Sequence, residues 1–248
     1  ALPITDSGTN TAALAALLAG GVRPRVVHTV SNFHNPSGVT ATKGTREELA
    51  NLAESYGFWI IEDDPYGRLR FDGEPQSPIP DESVIRLGSA SKTLAPALRV
   101  GWLNAPPAIV SLVERLKQCA DLCGSTLNQL MVAEMLSDTS WFESHVSNVT
   151  SEYGTRAAAL TSALDDAFGS SVEYDSPTGG MFCWIRFPRC DTRELLNVAL
   201  SHGVAFVPGA AFSVSTDMSE FARLSFATLS PQELREAVRR LRTAIDDV

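Results

Sequence analysis

Cysteine is scarce in this 248-residue chain: Cys119, Cys123, Cys183 and Cys190 stand at spacings that build no zinc site. Cys119 and Cys123 fit one helical turn, yet no second pair completes a ligand set. Reduced, mostly buried thiols are expected. Basic runs are missing too. Only 20 Lys+Arg stand against 29 Asp+Glu, a formal charge of −9, which argues against a nucleic-acid surface in this segment. No apolar run is long enough to span a membrane, and "ALPITDSGTN" has neither the charged nor the apolar region of a signal peptide. The expectation is a cytoplasmic protein with no membrane and no nucleic-acid partner. There is no internal repeat and no low-complexity tract. What is there, 44% hydrophobic and 20% charged residues, suffices for one large domain or two smaller ones around real cores.

The periodicity changes along the chain. "RVVHTV" (25–30), "FWII" (58–61) and "VIRLGS" (84–89) read as buried strands. Between the first two lies "GTREELANLAESYG", with Thr45 and Glu48 as a capping box, Leu49, Leu52, Ala53 and Tyr56 as an apolar stripe, and Gly57 at the stop. Strand, helix, strand predicts a βαβ unit and a mostly parallel sheet covered by helices. Ligands collect at the carboxyl ends of such strands, so "SNFHNPSG", "EDDPYG" and "SASK" are expected to open on one crevice. From about Ala108 to Phe168 the chain reads as one long helical stretch. "MFCWIRF" then reads as a well-buried strand, followed by "GVAFVPG" and "FARLSFA". A last helix opens at Ser230–Glu233 with Pro at its first turn and a capping box. The expected division is 1–150, part of a larger domain, and 151–248, a smaller α+β domain.

The loops after the strands carry unusual residues. Lys92 lies among small residues in "GSASKTLAPALRVGW", with Arg99 seven positions on. Such a lysine is either a surface charge or a desolvated amine able to form a Schiff base with an aldehyde. Asp63 is a strand-end carboxylate or a cap. Asn35 and Tyr66 are ambiguous singly, since "NPSG" is also a turn sequence, and Arg99 alone could be an ion-pair partner. Together they meet one demand. Pyridoxal 5′-phosphate needs a lysine for its aldehyde, a carboxylate against the pyridinium nitrogen, donors to the phenolic oxygen, and hydroxyls with a cation for the phosphate. Lys92, Asp63, Asn35 with Tyr66, and Ser89, Ser91 and Arg99 supply that set.

At these residues the chain resembles the fold-type I pyridoxal-phosphate aminotransferases of class I/II, in the subgroup of 2-aminoadipate/kynurenine-type enzymes and the aminotransferase-like domains of MocR-type regulators. The motifs are "NPSG", "IIEDDPYG", "SASK" with Arg99, "GGMFCWIRF", "VPGAAF" and "ARLSFA". The resemblance implies the α/β pyridoxal-phosphate transferase type I fold: a mostly parallel sheet with helices on both faces plus the smaller α+β domain. It also implies roles. Lys92 would be the Schiff-base lysine and proton shuttle, and Asp63 would hold the pyridine nitrogen protonated. Asn35 and Tyr66 would bond the phenolate, and Ser89, Ser91 and Arg99 the phosphate. Arg223 would take the substrate α-carboxylate, and Asn35 would also belong to the substrate site. Gly179 and Gly180 are expected to serve backbone geometry. His34 is a site neighbour without a role, and the other histidines read as scattered loop or helix residues.

The implied activity moves an amino group between an amino acid and a 2-keto acid in a homodimer. A cofactor-binding regulator domain, or a lyase, decarboxylase or oxidase of the same fold type, are the alternatives. The resemblance begins part-way into the larger domain. A glycine-containing phosphate loop, a ring-stacking aromatic and part of the small domain would lie upstream. A fragment, with the remainder on the same or a separate chain, is therefore expected, neither stable nor cofactor-binding by itself.

Overall fold

In the computed structural model, which describes residues 1–80 and 82–247, a hairpin of β1 (Ile4–Thr5) and β2 (Gly8–Thr9) leads into α1 (Thr11–Ala19). Asn10 caps α1 by accepting from the Ala13 amide. Strand β3 (Val26–Val30), helix α2 (Lys43–Tyr56), and strands β4 (Trp59–Asp63) and β5 (Val84–Ser89) follow. The short helix α3 (Ala90–Thr93) then precedes β6 (Gly101–Asn104). The sheet order is β3-β4-β5-β6, the first three strands parallel and β6 antiparallel on β5. The βαβ reading holds.

Helix α2 begins earlier than expected. Thr42, in an extended conformation, accepts from the Thr45 amide, so Thr42 and not Thr45 is the cap. Glu48 accepts instead from the Thr11 hydroxyl at 2.6 Å, tying α2 to α1. Gly57 ends the helix in the left-handed region, as expected. Leu49 and Ala53 are buried, but Tyr56 is exposed, with Arg23 over its ring. Arg46 takes the buried place that the apolar stripe did not assign. Strand β4 continues through Glu62 and Asp63, two residues beyond the apolar run.

The expected single helical stretch is three helices, α4 (Pro107–Ala120), α5 (Thr126–Ser137) and α6 (Thr139–Phe168). Caps at Ser125 and Asp138 make the breaks, accepting from the Asn128 and Trp141 amides. Cys119 lies in α4 and Cys123 beyond its end, both exposed, so these two thiols are not buried as expected. After α6 come β7 (Glu173–Tyr174), β8 (Phe182–Arg186), α7 (Thr192–Ser201), β9 (Val207–Pro208), β10 (Phe221–Ser225) and α8 (Pro231–Asp246). The four strands form an antiparallel sheet, β7-β8-β10-β9. The Ser230–Glu233 capping box is present. Strand β8 is not buried on both faces. Cys183 and Ile185 point into the core, while Phe182, Trp184 and Arg186 share the opposite face with Phe221, Arg223 and Ser225 of β10.

Three apolar clusters hold this together. One joins α1, α2 and the parallel strands around Phe58 and Ile60. A second joins the latter half of α6, the antiparallel sheet, α7 and α8 around Leu164, Ile185 and Phe226. A side chain of this size contributes about 1.5–3 kcal/mol when fully buried. The third cluster is small: Phe33, Tyr66 and Leu69, packed against Val149 and Tyr153 of α6 and Phe182 of β8. It sits where the two sheets meet.

Candidate active site

Alternation along β4 sends adjacent carboxylates to opposite faces of the parallel sheet. Glu62 points back, 3% exposed, into a closed network: Arg46 at 3.0 Å, Arg86 at 3.2 Å and the Ser31 hydroxyl at 2.8 Å. Asp63 points forward. Its only side-chain hydrogen-bond partner among the described residues is His28 Nε2 at 3.4 Å, on the neighbouring strand, and its side chain is 35% exposed. His28 is therefore a strand residue beside the candidate carboxylate, not a scattered one. Its alternate spacing with Val30 on β3 was the available sequence signal.

The end of β5 supplies the rest of a cleft of about 450 Å³, lined by Asp63, Gly88, Ser89, Ser91, Arg99 and Trp102 among others. Ser89 Oγ accepts from the Ser91 amide at 3.1 Å. Arg99 stands in the left-handed region at φ 55°, its Nη1 donating to the Pro96 carbonyl at 3.2 Å and reaching Ser91 Oγ at 3.5 Å. Gly88 is required here, because a Cβ would collide with the Trp102 indole. The Asp63 carboxylate, two serine hydroxyls and a guanidinium thus share one opening at the strand ends.

Lys92 stands on α3, directly after the serines. The chain has three lysines, Lys43, Lys92 and Lys117. Lys43 and Lys117 sit in surface pairs with Glu47 at 3.6 Å and Asp121 at 2.6 Å. The Lys92 amine has no hydrogen bond or ion pair among the described residues.

The second group comes from the antiparallel sheet. Arg223 Nη1 donates to Asn35 Oδ1 at 2.7 Å, across 188 residues of sequence. Its guanidinium lies over Phe182 at 4.0 Å and Phe212 at 5.0 Å, which fixes its plane. Tyr66 is buried at the joint between the sheets, edge-on to Phe182 at 6.2 Å. Burial raises its phenol; nearby Arg223 acts to lower it and Asp63 to raise it further, so all three residues share one electrostatic neighbourhood. Burial lowers Arg223, offset in part by Tyr66. His34 bonds Ser37 Oγ at 2.9 Å and is lowered by burial and then by His28. Gly179 and Gly180 do serve geometry: a Cβ on Gly179 would enter the Phe33 ring, and Gly180 has φ 70°.

The structure thus gathers Asp63, Ser89, Ser91 and Arg99 at one cleft, with Tyr66 in the electrostatic neighbourhood of both Asp63 and Arg223 and Asn35 bonded to Arg223; Lys92 follows Ser91 on α3 but does not line the cleft. Pairing of Arg223 with Asn35 and the Phe182–Phe212 clamp were not legible, because no spacing reports contacts between distant elements. A parallel sheet with polar residues at its strand ends, faced by an antiparallel sheet carrying an arginine, is an α/β arrangement of the kind in which ligands collect at the strand ends.

The family profile of aminotransferases of class I and II matches residues 6–241, and the chain belongs to that family. It is 37% identical over 255 residues to the aromatic-amino-acid aminotransferase 1 of Thermococcus litoralis, covering 99% of this chain and 61% of that protein. The Pyrococcus horikoshii kynurenine aminotransferase structure matches with a TM-score of 0.92 at 36% identity, over 99% of this chain and 63% of that one. The α-aminoadipate aminotransferase of Thermus thermophilus, complexed with N-(5′-phosphopyridoxyl)-L-leucine, matches with a TM-score of 0.93 at 33% identity, over 99% and 64%. The fold is therefore that of the fold-type I aminotransferases. The chain spans a little under two thirds of the length of the relatives it matches.

Proposed function

We propose that the protein acts as a pyridoxal-phosphate-dependent aminotransferase, moving an amino group between an amino acid and a 2-keto acid. The observation that carries this reading is the set of groups at the strand ends: a carboxylate, two hydroxyls and a guanidinium on one cleft, with Lys92, unpaired among the described residues, next in the chain after Ser91. The donor chemistry fits the cofactor. Asp63 suits a protonated ring nitrogen, Ser89, Ser91 and Arg99 suit a phosphate dianion, and Asn35 and Tyr66 suit the phenolic oxygen. Lys92 is the amine that holds the aldehyde. When bound, the cofactor supplies an electron sink for the substrate Cα.

The chain's own residues do the remainder. Arg223 takes the substrate α-carboxylate by two parallel N–H bonds, oriented by Asn35 and by the rings of Phe182 and Phe212. Lys92 Nζ, when it carries a free amine, would take the proton from the substrate Cα and hold it for return. Tyr66, whose phenol burial raises, stays protonated and donates.

A homodimer belongs to the same proposal. Its support is the apolar surface of α4 and α5, where Leu116 is 69% and Leu127 67% exposed. The division into a cofactor-binding part (1–150) and a smaller part (151–248) is supported by the two large clusters, one on α1, α2 and the parallel strands and the other on the latter half of α6 and the antiparallel sheet, which share no residue. A cytoplasmic location is supported by four free cysteines and by the lack, among the described residues, of a helix long and apolar enough to cross a membrane.

The test is spectroscopic. Protein loaded with pyridoxal phosphate is mixed with a panel of amino acids, and the cofactor's visible band is followed. Loss of the band with some amino acids and its return with a 2-keto acid are expected. A band that no amino acid discharges would refute turnover and fit a regulator domain instead.

A further inference from the structure

The turn that carries Lys92 is held from outside the site. Helix α3 is only four residues long, and the last carbonyls of a helix have no partner within it. The Thr93 carbonyl, next to Lys92 in the chain, is met by His145 Nε2 of α6 at 2.8 Å. A carbonyl only accepts, so Nε2 carries the hydrogen. The imidazole is set in place by Trp141, one turn earlier on α6, stacked at 5.1 Å with 6° between the planes. The same end of α6 grips the loop after Asp63: Glu143 pairs with Arg68, whose guanidinium lies 5.6 Å from the Phe142 ring. Helix α5 repeats the device at Arg99, where Asn128 Nδ2 donates to the adjacent Leu98 carbonyl at 2.9 Å.

We infer that His145 is a positioning residue for Lys92, fixing the α3 turn through the Thr93 carbonyl so that the amine is presented to the cofactor. The inference rests on Lys92 being the cofactor-bearing lysine. Ring packing and hydrogen bonding can be separated at this site. His145→Phe keeps a flat ring against Trp141 but has no donor. His145→Gln loses the ring but keeps an N–H that reaches the carbonyl.

The readout is the pH midpoint of the cofactor's visible band in the loaded protein, alongside kcat, KM and the thermal melt. His145→Phe should move the midpoint by more than about half a pH unit and lower kcat by about fivefold or more, with KM within about twofold. His145→Gln should restore the wild-type midpoint. Should His145→Phe fail to fold, His145→Leu makes the same comparison. A wild-type midpoint in the donor-less variants would overturn the inference, as would a glutamine variant shifted as far as the phenylalanine one. With the full-length holoenzyme as the protein tested, a band that survives Lys92→Ala would instead overturn the underlying site assignment, and no band at all in its wild-type form would overturn both.

Discussion

Glu62 and Asp63 are neighbours in the chain and opposites in their surroundings. Behind the sheet, Glu62 is buried and bonded to two arginines, a serine hydroxyl and the Ile79 amide. In front, Asp63 has one side-chain hydrogen-bond partner among the described residues, His28 at 3.4 Å, and faces a cleft. A buried carboxylate with every lone pair satisfied holds structure in place. A strand-end carboxylate with spare acceptor capacity is available to a ligand. The comparison separates stability from chemistry across the thickness of one strand, and variants on the two faces should fail in different ways.

The largest effect is expected behind the sheet. Arg46→Leu leaves Glu62 buried without its main partner and should cost about 3–5 kcal/mol, read as a lower urea midpoint. A loss under about 1 kcal/mol would show the network to be dispensable. Next comes Asp63→Asn, which should lower kcat/KM about a hundredfold, about 2.7 kcal/mol, while moving stability by no more than about 0.5 kcal/mol. Equal losses in both readouts would erase the distinction between the faces.

That distinction was only half legible in the sequence. The apolar run before Asp63 announced a strand, and the strand-end rule announced the crevice. Nothing in "IIEDDPYG" says which of three successive acids points forward, and the strand's extension through Asp63 decides it. Thr42 outcompeted Thr45 as the helix cap because the extended backbone falls at Thr42, a three-dimensional fact about the loop before it. The pairing of Arg223 with Asn35 depends on the two sheets meeting at the Phe33–Tyr66–Leu69 cluster, which no local pattern encodes. The residue types of the site were readable; their partners were not.

Smaller effects sharpen the comparison. Arg223→Gln, which would remove the charge-assisted contact proposed for the substrate carboxylate, should raise KM by about tenfold to a hundredfold, with the cofactor band intact. An unchanged KM would move carboxylate binding elsewhere. Thr42→Ala removes the α2 cap and should cost about 1 kcal/mol in a thermal or urea melt, without touching KM.

The most direct measurement uses the scarcity of lysine. Protein loaded with pyridoxal phosphate is reduced with borohydride, digested and mapped by mass spectrometry, with three lysines as the candidates. The account predicts a phosphopyridoxyl group on Lys92 and none on Lys43 or Lys117, both held in surface ion pairs. Label on either of those two, or no label on Lys92 in protein that shows the cofactor band, would contradict it.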